Sequence, residues 1–232
     1  MKPSEIEKLA EVKEAVQVLK GLEKRGLQQP AIAGGWIRSF LTDLPPSDID
    51  VLYVGPVHYH EAQDRLSDIL AKLSINPIDW DIKGIWNAEL AWQLSSVNQS
   101  ILIYYVSSID SVYLTSDGKL HDPTGHGYAD ALTKTLRIND YVDRPITPGS
   151  WVNTYLEGCR RIVKFGWQPT ERSTELIKQG ALYWEKLTEE SRQKFYHRLE
   201  KKYLPRERKS ARQVYEKYGW GFVFDGIVKN LS

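Results

Sequence analysis

The segment Ile32-Ala33-Gly34-Gly35-Trp36-Ile37-Arg38, followed by Ser47-Asp48-Ile49-Asp50-Val51-Leu52-Tyr53-Val54-Gly55, decides the reading of this chain. Ala31-Ile32-Ala33 predicts a short buried strand, and the glycine pair after it predicts a tight turn into a helix that carries Arg38. Pro45-Pro46-Ser47 then punctuates the approach to a second strand. In a strand, residues i and i+2 share a face, so Asp48 and Asp50 project together while Ile49 and Val51 turn inward. Two carboxylates side by side on a rigid strand make a hard, oxygen-rich site suited to Mg²⁺ or Mn²⁺. The glycines lack a Cβ and let backbone N–H groups approach a phosphate closely. A metal site beside a phosphate cradle is the equipment of phosphoryl or nucleotidyl transfer. An Asp-x-Asp by itself reads equally as a solvated pair at a strand start; its apolar neighbours and the glycine turn upstream favour the site.

At 232 residues the chain is long enough for one large domain or two small ones, with a real core. A net charge of +1 gives no global pull toward nucleic acid or an anionic membrane. The charge is uneven, however. Arg198, Lys201, Lys202, Arg206, Arg208, Lys209 and Arg212 outweigh Glu200, Glu207 and Glu216 along the same stretch. The single cysteine, Cys159, excludes an internal disulfide and fits a reducing compartment. No apolar run approaches transmembrane length, and the N-terminus reads as a charged helix rather than a signal peptide. The expectation is a soluble, cytoplasmic protein with no membrane partner.

Periodicity predicts an amphipathic helix over 4–26 with Ser4 as its N-cap, then helices near 35–42 and 58–73. Strands are expected over 48–54, Ile78 to Lys83 and Ser100 to Val106, the last a buried one. A hairpin follows, Ser111 to Leu114 and Lys119 to His121, turning at Ser116-Asp117-Gly118. Beyond Arg144-Pro145-Ile146-Thr147-Pro148-Gly149 the pattern becomes helical, near 151–166, 171–186, 188–203 and 207–218. The expected fold class is α+β: a head over 1–145 with a small mixed or antiparallel sheet flanked by helices, then an all-helical domain over 146–232.

Two further stretches matter: Asp117-Gly118-Lys119-Leu120-His121-Asp122-Pro123-Thr124-Gly125-His126-Gly127-Tyr128-Ala129-Asp130, and Arg161-Ile162-Val163-Lys164-Phe165-Gly166. With the opening segment they resemble the class II CCA-adding enzymes and bacterial poly(A) polymerases of the DNA polymerase beta-like nucleotidyltransferase superfamily. That family reads Gly-Gly-x-x-Arg-Asp, Asp-x-Asp on a strand, Arg-Asp-Phe-Thr-Ile-Asn-Ala, Asp-Pro-x-Gly-Gly-x-x-Asp-Leu and Arg-Ala-x-Arg-Phe-Ala, in that order. The resemblance runs with gaps from about residue 30 to 170. It implies a nucleotidyltransferase head in which Asp48 and Asp50 ligate the catalytic Mg²⁺ or Mn²⁺ and Gly34 and Gly35 hold the triphosphate.

By the same resemblance Arg38 lies near the phosphates or braces the glycine turn, and Arg161 and Lys164 belong to the nucleotide site. Asp110 falls where the family has the Asn of its ribose-contacting motif, so it contacts the sugar, adds a third carboxylate or makes a loop hydrogen bond. Asp79 and Asp81, a second Asp-x-Asp around Trp80, read as the polar face of a strand. The implied partners are a nucleoside triphosphate (ATP, CTP or both) and an RNA 3′ end of tRNA type. Lys201, Lys202, Arg206, Arg208, Lys209 and Arg212 would grip the RNA backbone in a salt-sensitive way, or form a solvated helical face.

The departures from the family carry information. Ser39 stands where Asp follows the arginine, Tyr105-Val106-Ser107 replaces Arg-Asp-Phe, and His126 replaces a glycine. The base-reading motif Glu-Asp-x-x-Arg falls on Thr154, Tyr155 and Gly158, which cannot present a carboxylate–guanidinium edge. Transfer to another acceptor (a protein, a small molecule, or RNA in a toxin-like role) and a degenerate nucleotide- or RNA-binding module therefore stay open as alternatives.

Overall fold

The computed structural model describes residues 1–83, 96–139 and 148–198, together with Gln213 and Lys217; the side chains of 148–150, 184–185 and 195–198 fall outside the description. The chain divides into two compact units, Met1–Thr133 and Lys134–Ser232. The boundary expected near residue 145 lies outside the described residues, as do the six basic residues from Lys201 to Arg212; of the helix expected over 207–218 only Gln213 and Lys217 are described, and both are helical.

The first unit is a mixed five-stranded sheet, ordered β3-β2-β1-β4-β5. Its strands are β1 (Gln28–Ala33), β2 (Ile49–Val54), β3 (Trp80–Ile82), β4 (Tyr113–Thr115) and β5 (Leu120–His121). β1 pairs antiparallel with β2 and β4, β4 antiparallel with β5, and β2 parallel with β3. Helices α1 (Pro3–Ile6), α2 (Ala10–Lys24), α3 (Gly35–Leu41), α4 (Tyr59–Leu73), α5 (Val97–Tyr104) and α6 (Gly127–Thr133) flank it. The α+β class and the mixed sheet match the sequence reading.

Both faces of the sheet are covered. On one, α2 and α4 pack over the strands, and the buried Ile32, Val51, Ile82 and Leu114 belong to that side. On the other, α5 lies across β1 and β2: Val97, Ile101 and Tyr105 join Ala31, Ala33, Leu52, Val54 and Tyr113 in one apolar cluster. Alanines at 31 and 33 keep that face low enough for a helix to approach.

Two expectations need correcting. Ser100 to Val106 is not a strand; Val97–Tyr104 is helical, and the chain becomes extended only at Tyr105. An unbroken apolar run does not distinguish a buried strand from a buried helix. Here Ser96 caps the helix by accepting from the Gln99 amide, and Val97, Ser100 and Ile101 fall on one buried face. Burying Val97 and Ile101 stabilises by about 1.5–3 kcal/mol each, which exceeds the few tenths that β-branched residues lose in a helix. The helix expected over 4–26 is also interrupted. Pro3 starts a single turn, the chain leaves helical geometry at Leu9, and α2 begins at Ala10. The Glu7 carboxylate, in that break, accepts from the Leu120 amide of β5 at 3.1 Å.

The second unit is helical, with one short parallel pairing of β6 (Thr135–Leu136) and β7 (Gln168–Pro169). α7 (Pro148–Phe165) buries Trp151, Val152, Tyr155, Leu156, Cys159 and Ile162, a stripe at helical spacing. α8 (Glu171–Leu182), capped by Thr170, packs Leu176, Ile177, Gly180 and Ala181 against it. A 3₁₀ turn (Tyr183–Lys186) and α9 (Glu189–Arg198) follow. Among the described residues no helix is long and apolar enough to cross a membrane.

α7 and α8 approach closely because two glycines allow it. A Cβ on Gly180 would sit 2.4 Å from the Trp151 carbonyl oxygen, and one on Gly158 would sit 2.7 Å from Ile177. Ala favours a helix over Gly by about 1 kcal/mol, yet Gly180→Ala is expected to destabilise the protein by about 1–3 kcal/mol, because backbone must move. Thermal unfolding checks this; an unchanged or raised midpoint would show that the helix pair has slack.

Candidate functional site

Asp50 lies on β2 opposite Ala33 of β1, on the sheet face that α5 covers. Asp48 directly precedes the strand and is exposed, whereas Asp50 is partly buried. The parallel register of β2 and β3 sets Asp81 beside Asp50. The sequence reads Asp81 as a polar strand residue, and it is one, but the register also makes it a third acid at the site. The signal was Trp80-Asp81-Ile82, an acid between two apolar residues, the same local pattern as Ile49-Asp50-Val51.

Two groups hold the Asp50 carboxylate. The Tyr105 hydroxyl donates to its Oδ2 at 3.3 Å, and the Lys83 ammonium lies 3.5 Å from its Oδ1. Lys83 also donates to the Asp81 carboxylate. Burial pushes the Asp50 carboxyl up from 3.8 to about 6; Lys83 and Tyr105 pull it down, and Asp48 adds to the rise. Burial alone would lower the Lys83 ammonium, but the Asp81 hydrogen bond and the Asp50 charge outweigh it and hold it above its ordinary value. Tyr105 is raised well above the usual phenol range by burial and then by the nearby Asp50 charge. The site carries more negative charge than Lys83 compensates.

The glycine turn leaves β1 and enters α3. Gly34 has φ +79, a conformation that favours glycine, and its amide donates to the Asp110 carbonyl at 3.0 Å. A Cβ there would lie 2.6 Å from the Tyr105 hydroxyl, and one on Gly35 would lie 1.7 Å from Ser47 Oγ. The pair thus admits Tyr105 and Ser47 side chains close to the backbone, and the Gly34 amide is engaged within the fold.

Arg38 and Asp110, expected at the nucleotide, face each other in the interior. Asp110 is 1% exposed; one carboxylate oxygen receives Arg38 and the other receives the Ser107 hydroxyl at 2.6 Å. Arg161 and Lys164 belong to α7 of the second unit. The Arg161 guanidinium donates to the Glu157 carboxylate and carbonyl, and the Lys164 ammonium lies 5.1 Å from the Phe165 ring centre. Asp122 accepts from Thr124 and from the Tyr128 amide, so it organises its turn, and Asp130 receives the Ser108 hydroxyl at 2.6 Å.

Among the described residues no three His, Cys, Asp or Glu side chains gather closely enough to hold a metal ion by themselves. Mg²⁺ seldom needs that. It is commonly held by one or two carboxylates, with waters and substrate phosphates completing its octahedron. Asp48 and Asp50 supply two hard oxygen donors in an under-neutralised cluster that already attracts an ammonium, so the residues fit a divalent cation delivered with a nucleotide.

No family model matches the sequence, and no curated protein matches it. Among solved structures, the chain is similar to a CCA-adding enzyme in complex with CTP, at 18% identity and a TM-score of 0.60, over 93% of this chain and 54% of that one. It is similar to a tRNA-processing enzyme in an apo form, at 15% identity and a TM-score of 0.61, over 91% of this chain and 57% of that one. The Thermotoga maritima CCA-adding enzyme complexed with tRNA matches at 18% identity and a TM-score of 0.57, over 93% of this chain and 54% of that one. The chain spans about half the length of the structures it matches. At this identity the likeness is one of fold, and it agrees with the class II CCA-adding-like fold read from the sequence.

Two outcomes follow from the geometry. Folding raises the Asp50 pKa, so the metal-free protein gains from this group below about pH 4 and loses that gain as pH rises through about 6. Between those limits wild type is expected to lose on the order of 3 kcal/mol relative to Asp50→Asn, and urea unfolding of both across the range reads the difference. A pH-independent difference would contradict the assignment. Asp110→Ala, which removes the buried carboxylate that Arg38 contacts, is expected to cost about 3–5 kcal/mol, read from the same unfolding curves.

Proposed function

We propose that this chain is a metal-dependent nucleotidyltransferase that moves a nucleoside monophosphate from a nucleoside triphosphate to a hydroxyl at the 3′ end of a tRNA-like RNA. The observation that carries the reading is the Asp48/Asp50 pair at the head of β2, beside a Gly34–Gly35 turn, in a fold shared with CCA-adding enzymes. Solved structures of that fold hold CTP, ATP or tRNA.

In this reading the RNA hydroxyl attacks the α-phosphate in line, its proton departs, and pyrophosphate leaves. Asp48 and Asp50 would hold the divalent cation, with Asp81 as the neighbouring carboxylate. When bound, that cation would lower the pKa of the attacking hydroxyl, and a second would neutralise charge on the departing pyrophosphate. Tyr105 fixes the Asp50 carboxylate by its hydrogen bond. The Arg38–Asp110 pair acts through the turn: it pins α3 to the 109–111 segment, where Asp110 also holds the Gly34 amide, and so positions the Gly35 backbone for the phosphates. No covalent intermediate is needed; positioning and charge neutralisation carry the rate. The basic stretch from Lys201 to Arg212 would bind the RNA backbone.

One observation separates this activity from C-C-A synthesis. Thr154 and Tyr155 are each 1% exposed, and Gly158 abuts Ile177 of α8. The α7 positions that the resemblance assigns to base reading are thus spent on packing, which favours addition without C-C-A templating, or an acceptor other than tRNA.

Incubation with total tRNA, Mg²⁺ and each labelled triphosphate in turn tests the proposal. Wild type is expected to label RNA, and Asp48→Ala or Asp50→Ala to reduce labelling by on the order of 10²–10³-fold or more. Labelling that survives both substitutions would sink the enzyme reading. C followed by A on trimmed tRNA would overturn the absence of templating, and labelling of no RNA would move the acceptor elsewhere.

A further inference from the structure

Lys83 stands where no nucleotidyl-transfer step requires it, with its ammonium among the carboxylates that the proposed activity needs for a cation. Its backbone position is not loose. The Lys83 amide donates to the Val51 carbonyl at 2.8 Å, continuing the β2–β3 ladder past Ile82. Two residues beyond Asp81, its side chain emerges on the same face as Asp81 and Asp50. The ammonium reaches both, 3.5 Å from Asp50 and hydrogen-bonded to Asp81, while its side chain is 26% exposed. The hydroxyl of Tyr105 approaches Asp50 and that of Tyr59 approaches Asp81, at 3.3 and 3.5 Å, so Lys83 is the one cation this cluster is shown to hold among the described residues.

We infer that Lys83 is a tethered competitor for the divalent cation: its ammonium occupies the Asp50–Asp81 pair and makes metal uptake conditional on the nucleotide. This rests on the reading of Asp48 and Asp50 as metal ligands. An ammonium and a divalent ion on the same carboxylates compete, because each draws on the same negative charge and they repel one another. A free ion must bind against the repulsion of Lys83, or push it aside, with nothing gained elsewhere. An ion that arrives on a triphosphate brings phosphate oxygens, to which the displaced ammonium on its flexible four-carbon stem can turn. Lys83 therefore suppresses binding of the bare ion and favours the ion–nucleotide complex, a specificity that two or three acids alone would lack.

Mn²⁺ binding followed by the loss of the free-ion paramagnetic resonance signal tests this without reference to turnover. Wild type, Lys83→Met, Lys83→Arg and Asp50→Asn are titrated with Mn²⁺ alone and with Mn²⁺ plus α,β-methylene ATP. Lys83→Met is expected to bind the bare ion at least ten-fold more tightly than wild type, and the gap to narrow with the nucleotide present. Lys83→Arg, which keeps the charge, should stay near wild type. Circular dichroism verifies folding, and Lys83→Gln serves if the Met variant is unfolded. Equal bare-ion affinities in wild type and Lys83→Met, with nucleotide-borne Mn²⁺ still bound and lost in Asp50→Asn, would overturn the role of Lys83 alone. Mn²⁺ binding that Asp50→Asn leaves intact would overturn the metal reading beneath it.

Discussion

The placement of the site depends on the buried contact between Arg38 and Asp110. Seventy-two residues separate them in sequence, yet the pair joins α3 to the 3₁₀ turn ahead of β4. The Gly34 amide donates to the carbonyl of that same Asp110, so one residue anchors the glycine turn through its backbone and the helix behind it through its side chain. A buried pair of this kind contributes little net stability compared with apolar packing. Its geometric effect is to tie α3, which carries Arg38, and the Gly34 turn at its start to one and the same residue.

Around Asp50 two opposing influences meet, and one prevails. Packing α5 across β1 and β2 desolvates the carboxylate, which favours its neutral form, while Lys83 and Tyr105 favour the charged one. Desolvation wins, and the carboxyl comes to about 6. The same helix that completes the apolar core thus sets the electrostatic state of the acid beneath it. Core packing and site chemistry are coupled through Tyr105, which belongs to the apolar cluster by its ring and to the site by its hydroxyl.

Much of this was legible in the sequence because short-range patterns carried it. The strand–glycine–helix–strand unit from Ala31 to Val54 rests on local alternation and turn chemistry, and the hairpin around Gly118 on a local turn. What was not legible is non-local. Val97–Tyr104 is a helix because a sheet face with small residues awaits it, which no window of eight residues reveals. Asp81 becomes a site residue only through the register of β3 against β2. Asp110 reads alike as a sugar ligand or a loop residue until Arg38 is found opposite it.

The parallel ladder between β2 and β3 has an evolutionary corollary. Side chains alternate across a strand, so sliding β3 by one residue would bring Trp80 or Ile82 alongside Asp50 and send Asp81 and Lys83 to the apolar face. The link from α4 into β3, around Ser74–Asn76, sets that phase. A change of register by one residue would therefore put an apolar group where an acid now stands, without any acid being substituted. Strand phase is thus a condition on the site separate from the identity of its acids.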